Sequence, residues 1–332
     1  MRFFKKTNID FIGKRKFWYM VSLTITTLGV VASLTFKTIE YGIDFRGGTE
    51  LAFRFTEPID VTTVRDAMDK ANFEGAEIKS YGAATDVLVR LKDVGDSSVV
   101  GRVRATFARY IPNNALLNQP PKIVDGLLKS DKIGPKIGNE LRLQALYAVL
   151  ASIIAILIYI AFRFDFISGL GAVIALVHDV LVAFAAVVLC NGITPWLNLE
   201  MNQGMLAAFL TVVGFSINDT VIIFDRIREN RLIHKGENLI SLMNRSINET
   251  LSRTVITAGT VFIVLVILLV FGGEVNRGFA FCMLVGITTG TYSSIYIASA
   301  FVVDWTIRVR KIDVEKQYHE ILAKQQQQQV TA

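Results

Sequence analysis

Asp219 stands in the stretch Gly214 to Asn230, GFSINDTVIIFDRIREN, with five uncharged residues on either side and a mixed-charge cluster, Asp225, Arg226, Arg228 and Glu229, just beyond. An ionised carboxylate in hydrocarbon costs about 3 kcal/mol on insertion scales, so an acid in such surroundings is a functional candidate whose partner has to be named. The partner the sequence offers is Arg253, in NETLSRTVITAG, where the next apolar segment begins. Burial raises the proton affinity of a carboxyl and a neighbouring arginine lowers it, so movement of one group relative to the other can load and release a proton. A static helix–helix hydrogen bond fits the same residues, as does an acid that snorkels to an interface, because Asp219 is only about 1.5 turns from Phe224. Asn218 adds an amide beside the acid. His178 and Asp179 form a second polar pair inside an apolar run, suited equally to bonding a neighbouring helix and to transport chemistry.

These residues need helices in a membrane to hold them. Hydrophobic residues make up 52% of the 332 positions, more than a soluble domain of this size carries. Six apolar runs reach the ~20 residues that span a hydrocarbon core. They lie at about 17–36, 144–162, 167–190, 202–224, 254–271 and 278–303. The first follows Arg2, Lys5, Lys6, Lys14, Arg15 and Lys16, but it is too long for a signal-peptide core and TFKTIE replaces a small-residue cleavage site, so it reads as an uncleaved span. Basic residues gather before span 1, between spans 4 and 5 and after span 6, which puts both termini in the cytoplasm. The net charge of +6 restates that asymmetry and gives no ground for nucleic-acid binding. Cys190 and Cys282 fall in apolar spans, and His178, His234 and His319 are scattered, so neither a disulfide framework nor a metal site is implied. No cofactor is expected, and no nucleophile triad or phosphate loop marks an enzyme.

The parts are then a cytoplasmic N-terminus (1–16), the first span (17–36), an outer domain (37–143), a core of five spans (144–303) and a cytoplasmic tail (304–332). In the outer domain Leu51, Phe53 and Phe55 alternate as in a strand, and Asp60 can cap a helix carrying Val61, Val64, Met68 and Ala71. Strands over Ala76–Tyr81 and Asp86–Leu91, a helix from Ser98 and a last strand over Lys122–Lys129 complete a β-α-β-β-α-β, ferredoxin-like order. Glycine-rich junctions flank the domain: Gly47 and Gly48 on one side, Gly134 and Pro135 on the other. They serve as hinges or simply as tight turns.

Small residues recur on two spans. Gly204, Ala207, Thr211, Gly214 and Asn218 form a narrow face on span 4, and Gly278, Cys282, Gly286, Gly290, Ser294 and Ala298 form a ridge on span 6; both suit close helix packing. Within 225–253 lies an amphipathic stretch, Asn238–Leu251, expected along the inner membrane face or against helix ends. The tail ends in Gln325–Gln329, a low-complexity run expected to be unstructured.

GFSINDTVIIFDRIREN, together with YGIDFRGGTE, YIAFRF, LVHDV and NETLSRT, closely resembles the SecF family, the smaller membrane subunits of bacterial SecDF protein-export complexes in the RND superfamily. The matches run in order from span 1 through span 5. The resemblance implies a polytopic α-helical protein of the bacterial inner membrane, six transmembrane helices with a ferredoxin-like periplasmic domain between the first two. It implies a SecD partner, cooperation with the SecYEG channel and SecA, and use of the proton-motive force to draw exported, unfolded preproteins outward, with protons as the coupling ion. The family's relay acid and its companion arginine fall on Asp219 and Arg253. A further acid belongs to SecD, so this chain holds half of the relay. A scaffold that stabilises SecD or the channel without conducting protons is the alternative.

Overall fold

The computed structural model describes residues 7–35, 39–73, 75–92, 98–112, 126–191, 193, 197 and 199–310. A short 3-10 turn, Ile12–Lys14, leads into α1 (Arg15–Thr35), and the chain then enters a small domain through α2 (Ile43–Arg46). That domain contains β1 (Gly48–Arg54), α3 (Val61–Lys70), β2 (Glu77–Tyr81), β3 (Ala83–Leu91), α4 (Val99–Tyr110) and β4 (Leu127–Ile133). Its sheet is antiparallel in the order β2-β3-β1-β4, the ferredoxin-like arrangement. Alternation decides its two faces. Leu51, Phe53 and Phe55 join Val87, Val89 and Leu91 against Val64, Met68, Val103 and Phe107 of the two helices. Each side chain buried there contributes roughly 1.5–3 kcal/mol. The opposite face carries Glu50, Arg54, Asp86 and Arg90, three of which, Glu50, Asp86 and Arg90, are buried although charged.

The last strand differs from its expected position at Lys122–Lys129: it runs over Leu127–Ile133, and residues 122–125 lie outside the described set. Pairing places it. Its register with β1 runs from Gly48 opposite Ile133 to Phe53 opposite Leu127, and its sequence, LLKSDKI, is polar enough that alternation gives little signal. The Asp60 cap is present, accepting from the Thr62 amide at 2.9 Å.

Among the described residues six helices are long and apolar enough to cross a membrane: Ile12–Thr35, Lys136–Arg163, Phe166–Cys190, Gln203–Ile233, Leu239–Phe271 and Asn276–Val309. After α1 these are α5 (Pro135–Arg163), α6 (Phe166–Cys190), α7 (Gln203–Ile233), α8 (Leu239–Phe271) and a composite rod. The rod consists of α9 (Gly273–Ser293), a π turn (Ser294–Ser299) and α10 (Ala300–Arg310). The 31 residues of α7 extend about 46 Å, well beyond a ~30 Å hydrocarbon core.

Of the two small-residue ridges only one is packed. Cys282, Gly286, Gly290, Ser294 and Ala298 on the composite rod are buried. Gly204, Ala207, Thr211, Gly214 and Asn218 on α7 are all exposed, so the helix that this face suits is not one of the described helices of this chain. The inward face of α7 is instead Met205, Ala208, Val212, Ser216, Thr220, Ile223 and Ile227, larger residues at helical spacing. The α7–α9 approach is close: a Cβ added to Gly286 would lie 2.2 Å from Val212 Cγ2, and one on Gly290 3.1 Å from Ser216 Cβ. Of the two places expected for Asn238–Leu251, it takes the one against helix ends. It is the first part of α8, in line with the fifth span, because Ile240, Met243 and Ile247 are buried against α7 and the N-terminal segment. There the Asn244 side chain accepts from the Phe11 and Ile12 amides at 3.0 and 2.9 Å and donates to Asp10 at 2.7 Å.

Gly286→Ala forces its methyl into Val212, whose branched side chain has no free end to swing aside. A loss of about 1–3 kcal/mol is expected. Thermal unfolding in detergent should show it, and Val212→Ala in the same chain should recover most of it; equal stability of Gly286→Ala and the native chain would mean that the helices separate at no cost.

Candidate functional site

Chain segments from both halves of the molecule meet where the outer domain joins the helices. Residues 39–46 run beside 199–203: Met201 N donates to Glu40 O at 2.7 Å, Gly42 N to Met201 O at 3.0 Å, and Gln203 N to the Asp44 carboxylate at 2.9 Å. Asn202 caps α7 by accepting from Met205 N at 2.7 Å. Above this bridge Glu200 is buried and holds the polar face of the sheet. It accepts from Arg90 Nη2 and from Lys79 Nζ, both at 2.6 Å, while Arg90 also reaches Glu50 at 2.7 Å and Glu77 at 3.1 Å. Burial pushes the Glu200 carboxyl up, but the hydrogen bonds and charges of Arg90 and Lys79 outweigh it and hold the group below the usual carboxylate range. For Arg90 burial disfavours the charge, and Glu200 with Glu50 more than offsets it, so the guanidinium is held above its ordinary range. Glu40, Glu77 and Glu200 converge within 4.8 Å of one another, as ligands of a cation do. The Lys79 ammonium sits among them at 2.6, 3.2 and 2.6 Å and takes that place.

Of the expected hinge positions, Gly47 and Gly48 make a packed turn. Gly47 and Gly48 have φ of 73° and 128°, and a Cβ on Gly48 would lie 2.6 Å from Leu91 O. Gly138, on the first turn of α5, packs against the backbone of Gly47. Gly134 is the extended N-cap of α5 with open space around it, and Pro135 is the first helical residue, where its missing N–H costs nothing.

Deep in the core, Asp179 is fully buried and its carboxylate is satisfied on both oxygens. Oδ1 meets His178 Nδ1 at 2.9 Å; Oδ2 accepts from Ser216 Oγ of α7 at 2.5 Å and from Ser293 Oγ of α9 at 2.7 Å. His178 Nε2 lies 2.5 Å from Ser22 Oγ of α1, and the ring rests near Tyr292. Asp179 thus ties three spans, α6, α7 and α9, and His178 adds α1. Nearby, Thr220 and Ser294 bond at 2.9 Å, a second link from α7 to the composite rod.

Asp219 is also buried, at 1% exposure, yet neither carboxylate oxygen has a hydrogen bond. The Thr291 hydroxyl is close enough to act on it without reaching hydrogen-bond geometry. Arg253 acts on it by charge only: the two form no ion pair, and Arg253 is exposed on α8. Asn218 faces outward on the small-residue face, away from this interior. The polar groups that sequence reasoning missed are Ser22, Ser216, Ser293, Glu200 and Arg90. Serines in apolar spans look like small packing residues, and only Glu200, an acid between two apolar runs, carried a signal by which it could have been found.

Comparison with known proteins places these motifs. The family described as "Protein export membrane protein SecD/SecF, C-terminal" matches residues 122–308, and the "SecD/SecF GG Motif" matches 32–59. The protein translocase subunit SecF of Rhodothermus marinus is 41% identical over 309 residues, 93% of this chain and 96% of that protein. That of Calditerrivibrio nitroreducens is 37% identical over 301 residues, 89% of this chain and 93% of that one. The crystal structure of SecDF from Thermus, described as a translocon-associated membrane protein, superposes with a TM-score of 0.76 at 36% identity over 90% of this chain. This chain spans 39% of that longer polypeptide.

Arg90→Ala removes the cation that Glu50 and Glu200 share and leaves them Lys129 and Lys79, so a loss at the low end of a broken buried pair, about 3 kcal/mol, is expected. Because the Glu200 carboxyl is lowered in the folded state, its contribution is complete above the ordinary carboxylate range and disappears as pH falls through the lowered value. Hydrogen-exchange protection of the Gly42 and Met201 amides should therefore persist down to about pH 4 and fall below it; early loss, near neutral pH, would remove Glu200 as the holding group.

Proposed function

The chain belongs to the SecF family of protein translocase subunits, and from that premise we propose that it works with a SecD partner, using the proton-motive force to promote late steps of preprotein translocation across the bacterial inner membrane. The observation that carries the proposal is the state of Asp219: an acid at 1% exposure, inside a membrane-spanning helix, with both oxygens unbonded. An ionised carboxylate left so is costly, and a proton removes most of that cost. A membrane voltage supplies roughly 2.3 kcal/mol per charge per 100 mV, enough to bias a two-state helix packing. Arg253 is the cation whose charge reaches the acid, and its exposure leaves it free to approach or withdraw. No cofactor takes part; protons are the coupling ion.

The exposed small-residue face of α7, adjacent to Asp219 in sequence, supports a SecD helix as the element that completes the site. SecYEG, SecA and unfolded preproteins are the functional partners in this reading. The distribution of basic residues supports cytoplasmic termini and a periplasmic outer domain.

Proton-gradient-dependent export into inverted vesicles, with the chain co-expressed with SecD, tests the proposal. Asp219→Asn keeps the shape but carries no proton, and the gradient-driven step should fall by about 100-fold, the order of a lost general acid–base group, with assembly intact. Unchanged export would leave the non-conducting scaffold as the function.

A further inference from the structure

Two buried acids flank one helix contact. On α7, Ser216 touches Gly290 of α9, and Asp219 lies three residues further on, about 60° around the helix from Ser216. On α9, Ser293 and Thr291 project about 60° and 100° to opposite sides of Gly290. Asp179 occupies the first side, accepting from Ser216 at 2.5 Å and from Ser293 at 2.7 Å. Asp219 occupies the other, beside Thr291, with both oxygens unbonded. A buried acceptor without a donor favours any small helix rotation that supplies one. Any such rotation of α7 moves Ser216 off its present place against Asp179 and Gly290, and the two serine bonds and the His178 bond of Asp179 resist it. His178 in turn is held by Ser22, so the anchor is fixed to α1 as well as α6.

We propose that Asp179 is a positioning residue for the Asp219 site: by holding Ser216 and Ser293 on one carboxylate oxygen, it sets the rotation of α7 against α9 that keeps Asp219 beside Thr291 but unbonded. The proposal rests on the reading of Asp219 as a proton-binding group. The charged and titratable groups around the two acids are His178 on α6, Arg253 on α8, Tyr292 on α9, and Asp225 and Arg226 further along α7.

The test uses the full chain assembled with its membrane partner in vesicles and a hydrophobic carbodiimide, which reacts with protonated carboxyls; mass spectrometry reads modification at Asp219 across pH. Ser216→Ala removes one hydroxyl and leaves the Asp179 carboxyl in place. Labelling of Asp219 at neutral pH should fall about tenfold in Ser216→Ala and in Asp179→Asn, with the labelling profile displaced by about one pH unit and assembly retained. If Asp179→Asn alone changes the profile, Asp179 acts only through its charge and the proposal is overturned; it is overturned equally if neither variant changes it. If Asp179→Asn fails to fold, Ser216→Ala and Ser293→Ala decide by themselves, since alanine preserves the helix and its contact. Absence of labelling at Asp219 in the native chain at every pH would remove the proton reading and this proposal together, whereas normal native labelling unmoved by the variants leaves the proton reading standing.

Discussion

The close approach of α7 to α9, which depends on Gly286 and Gly290 having no side chain, sets the geometry of the whole membrane core. With Val212 and Ser216 seated directly on those glycines, hydroxyls from two helices reach the same oxygen of Asp179. A wider separation would leave that carboxylate short of a donor in a low-dielectric interior, where each unmet bond is expensive. The packing and the polar network are therefore one constraint: small residues permit the contact, and the contact satisfies the acid.

The same contact leaves the second acid unsatisfied. Asp179 and Asp219 are buried to nearly the same degree, yet one is bonded on both oxygens and the other on neither. A fully bonded buried carboxylate favours a single arrangement of its helices, while an orphaned one stores an unfavourable interaction that its surroundings must sustain. The outer domain is attached by the same logic, since the charges on its sheet face are buried only because Glu200, Glu50, Arg90 and Lys79 neutralise one another.

Much of this was legible in the residues. Length and hydropathy locate six spans, and alternation with capping locates most of the outer domain, because both signals are local. The β4 strand was misplaced because its partner strand, and not its own pattern, determines where it begins. The two small-residue ridges have similar spacing and opposite fates, since composition tells that a face can accept a helix and not whether this chain supplies one. Asp219 was recognisable as an isolated acid, but the direction in which Arg253 points is a property of the assembled bundle. Ser216 and Ser293 carry no sequence signal that separates a hydrogen-bond donor from a spacer.

α7 has a mechanical consequence. Its first turn is bolted to the outer domain through the Asp44 bond to Gln203 and the backbone bonds of Met201 with Glu40 and Gly42, and its last turns are tied to α8 through Asn230, which bonds Ser246 and Glu249 at 3.0 and 2.8 Å. Between those anchorages it is an unbroken column, and a helix is far stiffer along its axis than the loops at either end. An axial load applied to the domain therefore travels past Asp219 with little loss, and the acid occupies the point on the column where push and pull are felt by a group that is not tied down.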